Sequence, residues 1–153
     1  MTKWFLSIYG FGGKPKFLNF SSSQVSHCFP CTGNPGSPEV YGLQGIMDVY
    51  AYEMKNADLS GPILFAPLIT ETMKIAQQSK LEGSHVYTIL LILTDGEIHD
   101  MENTINCLIQ SAKLPLSIII VDIGNADFEK MEILDGDNGL ENSDGAKAER
   151  DLV

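Results

Sequence analysis

The chain has 153 residues, 44% of them hydrophobic, a length and composition that fit one globular domain with a sizeable core. Twenty acidic against ten basic residues give a net charge of −10, which excludes general binding to nucleic-acid phosphates and disfavours adsorption to anionic lipid. Divalent cations or basic protein partners match this charge better. Three cysteines are an odd number for a disulfide scaffold, so we expect a reducing, cytoplasmic location.

The hydrophobic pattern predicts alternating strands and helices. In chain order we predict a strand at 3–11, a short strand at 17–26, a loop at 27–41, helices at 42–55 and 66–78, a strand at 87–93, a helix at 101–112, a strand at 116–123 and a short helix near 127–133. The buried face of the first helix is assigned to Ile46, Val49, Tyr50 and Met54. Residues 140–153 are poor in apolar side chains and are predicted to form an acidic, mobile tail.

The strands at 87–93 and 116–123 are continuously apolar, as parallel strands covered on both faces are. Together with the helix between them they form a βαβ unit, whose crossover is almost always right-handed. Open α/β sheets bind ligands at the carboxyl ends of such strands, which is where Asp95 lies. Asp95 is therefore a candidate metal ligand or polar anchor, and the alternative is a carboxylate that caps the following turn.

Six segments follow one another along the chain: YGFGGKP, VSHCFP, YGLQGIMDVY, GPILFAPLI, ILLILTDGEIHDM and LPLSIIIVDIGNADFEKMEILDGDNG. In this order, over about 8–139, they resemble the von Willebrand factor A-type domain of the copines. The resemblance implies a doubly wound, mostly parallel sheet flanked by helices, acting as a non-enzymatic protein-interaction module. Copines also carry two C2 domains that bind phospholipid with calcium and take the protein to the plasma membrane. No C2 domain is found in this chain, so we expect no direct membrane binding by it alone.

The resemblance also implies a metal site, built in A-type domains from an Asp-x-Ser/Thr-x-Ser loop after the first strand, a threonine of a second loop and an aspartate after the fourth strand. This chain starts at what resembles the second strand, so the central first strand and the first helix are expected to be missing. Residues 148–153 resemble the entry to the last helix, which makes the domain truncated at both ends. Ile63 replaces the threonine, and isoleucine offers no oxygen to a hard cation. Asp95 alone remains, so we predict a degenerate site without a cofactor, and Mg²⁺ or Ca²⁺ only where a residual site persists.

The predicted interaction face comprises the loops at the carboxyl ends of the strands, with Gly61, Pro62, Ile63, Asp95, Gly96, Glu97 and Asp100. A basic protein surface would suit its charge. The nearby cluster of Glu97, His99, Asp100 and Glu102 suggests a different metal site or an acid/base pair. The alternative is a solvated loop in which Asp100 is the N-cap of the next helix.

Three further motifs have simple interpretations. His27, Cys28 and Cys31 have CxxC spacing beside a histidine, but no second ligand pair for zinc and no helix start for redox chemistry follow. The segment 135–139 begins like an EF-hand calcium loop. That pattern needs glycine at its sixth position and glutamate at its twelfth, where this chain has Leu140 and Ala146, so the pattern fails. Residues 10–14 match neither the Walker spacing, which needs Ser or Thr after the lysine, nor GxGxxG, because Pro15 occupies the last position. We interpret the last two as turns.

Two other functions stay open. One is a hydrolase or phosphotransfer enzyme on a doubly wound fold, because such sheets host many chemistries. The other is a fragment without independent function, which the missing central strand favours because unpaired inner edges promote aggregation. The identity of the partner and the oligomeric state, including a dimer that repairs the sheet edges, also stay open.

Overall fold

The computed structural model describes residues 5–16, 24–136 and 139–153, and they divide into two units, Met1–Pro62 and Ile63–Val153. The described residues contain three α-helices and four two-stranded sheets, which makes the chain a mixed α/β protein. One partial domain over 1–139 with a separate segment at 140–153 stays a prediction. No helix in these ranges is both long and apolar enough to cross a membrane.

The first unit is built from short antiparallel strand pairs. The pairs are β1 (Phe5–Ser7) with β5 (Glu39–Tyr41), β2 (Tyr9–Gly10) with β4 (Phe29–Pro30), and β3 (Gly13–Pro15) with β6 (Ala57–Leu59). The predicted first strand is interrupted at Ile8, whose N–H donates to Pro38 O at 3.1 Å. The second predicted strand lies mostly in 17–23, outside the described residues, and its last residue, Ser26, bridges Gly13. The predicted loop at 27–41 contains β4 and β5.

Helix α1 (Gly42–Asn56) begins and ends close to its predicted limits and contacts β1, β5 and β6. Its predicted buried face is wrong in part, since Tyr50 is 61% exposed and Met54 is 59% exposed. The most buried side chain of the helix is Glu53, with Ile46 and Val49 partly buried at helical spacing before it. The helix is therefore rotated relative to the prediction, with a carboxyl group turned inward.

The second unit centres on a parallel pair, β7 (Thr88–Thr94) with β8 (Leu116–Asp122), in which Leu91 lies opposite Ile119. Helix α2 (Ala66–Leu81) precedes β7, α3 (Met101–Ser111) joins the two strands, and a 3₁₀ helix (Glu129–Asp135) follows β8. The fully buried core residues are Phe65, Ile69, Ile92, Leu108, Leu116, Ile118 and Leu134. Among the described strands only β7 and β8 pair in parallel, so the predicted mostly parallel, doubly wound sheet is corrected to one parallel pair plus antiparallel pairs.

The predicted mobile tail at 140–153 is corrected by its contacts. Leu140 and Leu152 are buried, and the backbone turns back on itself through the pairing of Glu141 with Lys147. Leu152 O accepts the N–H of Ile118 at 2.8 Å, which places the chain end against β8. The scarcity of apolar residues predicted a mobile tail. Two buried leucines and long-range hydrogen bonds instead hold the segment against the rest of the second unit.

Arg150 makes most of those hydrogen bonds. Its Nε donates to Ala112 O at 3.2 Å, and its Nη2 donates to Leu114 O at 2.8 Å and to Leu116 O. These three carbonyls belong to the turn that leads from α3 into β8. One guanidinium thus ties the C-terminal segment to the βαβ crossover.

We expect Arg150→Lys to lower the free energy of unfolding of the second unit by about 1.5–3 kcal/mol, the usual loss for hydrogen bonds to a charged group. An ammonium group is a point donor and cannot reproduce the planar fork that serves three carbonyls. Urea denaturation followed by circular dichroism measures the change. Lys147→Ala is the matched control, because its ion pair with Glu141 is exposed and is worth little. Equal stability of Arg150→Lys and the unmodified chain would contradict the assignment.

Candidate functional site

The carboxyl end of β7 carries the first candidate residue, Asp95. Its side chain is exposed, and no hydrogen bond or ion pair of its carboxylate is found within 5–16, 24–136 and 139–153. The turn after the strand is instead held by Thr94, whose Oγ1 donates to Gly96 O at 3.1 Å and accepts the Gly96 N–H at 3.4 Å. The sequence correctly placed Asp95 at the end of the strand, but the hydrogen bonds that hold the turn are made by Thr94.

Ile63 packs directly on this turn. A Cβ added to Gly96 would lie 2.6 Å from Ile63 Cδ1, so a larger residue at Gly96 would require the end of the Ile63 side chain to move. Ile63 is also fixed by two hydrogen bonds with His99: its N–H donates to His99 Nδ1 at 3.2 Å, and its carbonyl accepts the His99 N–H at 2.9 Å. An apolar side chain therefore lies against the loop that carries Asp95.

Asp100 connects two helices. Its Oδ1 accepts the N–H of Phe65 and its Oδ2 accepts the N–H of Ala66, both at 2.9 Å, and these donors lie at the start of α2. Its Oδ1 also accepts the Thr104 hydroxyl at 3.2 Å. Asp100 occupies the N-cap position of α3, as predicted, but its carboxylate caps α2 and not its own helix. The free N–H groups of a helix start suit a carboxylate, both as donors and through the helix dipole.

The two other acids of the cluster are Glu97 and Glu102. Glu102 is exposed and accepts the Ser143 hydroxyl at 3.1 Å, while Glu97 is partly buried. No group of three or more His, Cys, Asp or Glu side chains in the part of the chain that the structure describes is arranged to hold a metal ion.

Gly61 and Pro62, the other members of the predicted interaction face, are exposed and end the first unit. Within the second unit the structure brings together Ile63, Gly96, His99 and Asp100 through the contacts described above. The predicted face is thus represented in that unit by two loops, one before α2 and one after β7.

The CxxC segment lies in the first unit. Burial, then the nearby Glu53 carboxyl and then the Cys28 thiol raise the pKa of the Cys31 thiol to about 12. A thiol that stays protonated at neutral pH is a poor nucleophile, because the thiolate is the reactive form. Cys107 lies elsewhere, in α3, with its Sγ 3.6 Å from Thr70 Oγ1.

Glu53 was missed by the sequence reasoning. Neither carboxyl oxygen has a hydrogen-bond partner among the described residues, and only 8% of the residue is exposed. Burial raises the pKa of this carboxyl from 4.5 to about 7. The signal that could have found it is its position seven residues after Ile46 and four after Val49, on one helical stripe.

The two remaining motifs behave as turns where they are described. Gly136 follows the 3₁₀ helix with a φ of 67°, and two residues of the calcium-like segment, 137 and 138, lie outside the described ranges. Gly12, in the glycine-rich segment after β2, has a φ of 63° and accepts the Ser60 N–H at 2.8 Å through its carbonyl.

The architecture is a mixed α/β arrangement with an acidic loop at the carboxyl end of a parallel strand pair, and it is compatible with a domain of the von Willebrand factor A type. The family model described as Copine matches residues 3–153, and the chain belongs to the copine family. This confirms the resemblance seen in the sequence.

Three relatives show how much of a copine the chain represents. It is 46% identical over 148 residues to Copine-A of Dictyostelium discoideum, 46% over 147 residues to Protein BONZAI 1 of Arabidopsis thaliana, and 44% over 145 residues to Nicotinic receptor-associated protein 1 of Caenorhabditis elegans. These alignments cover 97%, 95% and 95% of this chain but 24%, 25% and 22% of the relatives. The chain thus spans about a quarter of the length of these relatives.

We expect Asp100→Ala to lower the free energy of unfolding of the second unit by about 1–3 kcal/mol, because it removes the carboxylate that accepts the Phe65 and Ala66 N–H groups. Asp100→Asn keeps one acceptor oxygen and should cost less. Urea denaturation measures both. Asp95→Ala is the control: its carboxylate is exposed and has no partner among the described residues, so the change in stability should be less than about 0.5 kcal/mol. A larger effect for Asp95→Ala than for Asp100→Ala would reverse these roles.

Glu53 makes the stability of the first unit depend on pH. Its pKa is about 7 in the folded chain against 4.5 as a free side chain, so folding opposes ionisation. Below pH 4.5 the carboxyl is neutral in both states, and as the pH rises from 4.5 to about 7 the unfolded state gains increasingly from ionisation, until the folded state ionises as well. Glu53→Gln, which stays neutral, should therefore gain stability relative to the unmodified chain between pH 5 and pH 8, by about 1–3 kcal/mol at about 1.4 kcal/mol per pKa unit.

The measurement is urea denaturation at pH 5 and pH 8, followed through the amide NMR signals of α1. The control is Glu39→Gln, an exposed glutamate of β5 in the same unit. If the advantage of Glu53→Gln did not grow between the two pH values, the burial of a neutral carboxyl at this position would be refuted.

Proposed function

We propose that this chain is a non-enzymatic protein-interaction domain of the copine A type, with a degenerate metal site. The observation that carries the proposal is the packing of Ile63 on Gly96, beside Asp95. Where the family resemblance implies a threonine oxygen, this chain has a methyl group in contact with the turn. An apolar surface next to a single exposed carboxylate suits binding to a protein better than coordination of a hard cation.

The hydrogen bonds around the turn support the same proposal. His99 Nδ1 accepts a backbone N–H, and both oxygens of Asp100 do so as well. These two side chains are the best local candidates for acid/base or metal chemistry, and their acceptor atoms are committed to holding α2. Hydrogen bonds to the backbone give both side chains a structural role, which is why we favour an interaction domain over a hydrolase or phosphotransferase.

The partners we propose are proteins with basic surfaces. The chain carries ten more acidic than basic residues, and Asp95 is exposed at the strand end. A positive partner surface would be attracted to this end by long-range electrostatics. One relative is named for association with a nicotinic receptor, and an association with proteins is what we extend from it to this chain. We propose no binding to nucleic acid, no cofactor and no direct membrane binding by this chain alone, and a cytoplasmic location.

The proposal predicts that the interaction face binds partner proteins without a metal ion. In ¹H–¹⁵N correlation spectra, millimolar Mg²⁺ or Ca²⁺ should cause no saturable shift of the Asp95, Gly96 and Glu97 amide signals, because one carboxylate supplies too few oxygens. Capture of partner proteins by the immobilised chain should be equal in EDTA and in Mg²⁺. Asp95→Lys should lower the captured amount several-fold by reversing the charge that faces a basic partner.

Asp144→Lys is the matched control, since it makes the same charge change at an exposed turn in the C-terminal segment. Saturable metal shifts that disappear in Asp95→Asn would show an active metal site and overturn the degenerate one. Equal losses of capture in Asp95→Lys and Asp144→Lys would point to net charge alone and remove the proposed face.

A further inference from the structure

His99 holds the chain just before α2 through two hydrogen bonds of different kinds. Its backbone N–H donates to Ile63 O at 2.9 Å, a bond between backbone groups that does not involve the ring. Its ring Nδ1 accepts the Ile63 N–H at 3.2 Å. This second bond requires a neutral imidazole that carries its proton on Nε2, because Nδ1 must offer a lone pair.

Protonation of the ring removes that acceptor. Both nitrogens of an imidazolium are donors, so the Nδ1–H of His99 would face the Ile63 N–H, donor against donor. The two groups repel one another, and either the ring or the Ile63 backbone has to turn away. Histidine is the side chain that ordinarily changes its charge between pH 5 and pH 8, which makes this bond a point at which pH acts on the loop.

The start of α2 is held independently of the ring. Its first N–H groups donate to the two oxygens of the Asp100 carboxylate, both at 2.9 Å. Loss of the His99 ring bond therefore leaves the helix start in place and acts on Ile63. Because the end of the Ile63 side chain packs on Gly96, the change reaches the turn that carries Asp95.

The charged groups around the ring are acidic. Those on its own loop and at the start of α3 are Asp95, Glu97, Asp100 and Glu102. Asp122 of β8 lies opposite Thr94 at the strand ends, and Asp144 follows Ser143, whose hydroxyl donates to Glu102. The segment 60–70, which contacts His99 through Ile63, has no titratable side chain, and 81–112 contains no lysine or arginine. The acids attract a proton to the ring, and the bond to Ile63 opposes it.

We propose that His99 is a proton-sensitive positioning residue of the interaction face: its neutral ring holds Ile63 on the Asp95 turn, and protonation releases it. This inference rests on the proposed function, since that face is what the ring controls. Protonation changes the face in two ways that act together. It withdraws an apolar side chain from the turn, and it places a positive charge four residues from Asp95, so a partner with a basic surface binds more weakly at low pH.

The test is an NMR titration of the full chain between pH 8 and pH 5, with ¹⁵N labelling and ¹³C-labelled isoleucine methyl groups. At pH 8 the long-range ring spectrum should show the proton of His99 on Nε2. The Ile63 amide signal should titrate with the same midpoint as the His99 ring signals. The nuclear Overhauser effect between the Ile63 δ1 methyl group and the Gly96 α protons should weaken several-fold at pH 5.

Two variants separate the position of the acceptor from its charge. In His99→Asn the side-chain oxygen takes the place of Nδ1 along the side chain and does not ionise, so the Ile63–Gly96 Overhauser effect should persist at both pH values and the Ile63 amide should no longer titrate. His99→Leu has no acceptor and should show the weak Overhauser effect at both pH values. His85→Asn is the matched control, since His85 is exposed in the loop before β7, and it should titrate like the unmodified chain.

Several results would overturn the proposal. They are a proton on Nδ1 of His99 at pH 8, an undiminished Overhauser effect at pH 5 or in His99→Leu, and a titration of the Ile63 amide that persists in His99→Asn or disappears in His85→Asn. None of these readouts needs a partner protein. A chain that captures basic proteins but lacks the titration therefore refutes the positioning role alone, and a chain that titrates as expected but captures none refutes the proposed function alone.

Discussion

The Asp100 carboxylate holds the start of α2 beside the start of α3, and the candidate site depends on this connection. A helix start presents N–H groups that lack partners within the helix, and Asp100 accepts two of them while it also receives the Thr104 hydroxyl. The chain just before α2 is fixed next to it, because Ile63 exchanges two hydrogen bonds with His99. The interactions that fold the second unit therefore also place a methyl group on the Asp95 turn.

The hydrophobic pattern was sufficient to locate the α-helices and the two long strands, whereas the short strands β3, β4, β5 and β6 fell outside the predicted strands. The apolar runs of β7 and β8 and the periodicity of α2 and α3 located these elements to within a few residues. In α1, however, two stripes have helical spacing, and the more apolar one, with Tyr50 and Met54, is the exposed one. Packing of α1 against β1, β5 and β6 decided the rotation of the helix. No local signal in the sequence describes that packing.

Long-range polar contacts were the second source of error. Asp100 was predicted to cap the helix that follows it, yet its acceptor bonds go to residues 34 and 35 positions earlier in the chain. Arg150 reaches carbonyls 34–38 positions away, and this converts an acidic tail into a packed segment. Neither composition nor residue spacing indicates which backbone groups Asp100 and Arg150 bind. The position of Asp95 at a strand end was predictable because only the strand itself was needed to place it.

The apolar runs of β7 and β8 predicted two covered faces, and among the described residues one face of the pair, with Leu91 and Ile119, is open. Covering roughly 500 Å² of apolar surface contributes about 12 kcal/mol before the costs of association, at about 25 cal/mol per Å². The whole free energy of unfolding of a typical domain is about 5–15 kcal/mol. Any partner that covers this face and binds only the folded chain would stabilise the fold. The polar groups of the second unit hold its helices, which supports the proposed role in contacts between proteins over the alternative of chemistry on a small molecule.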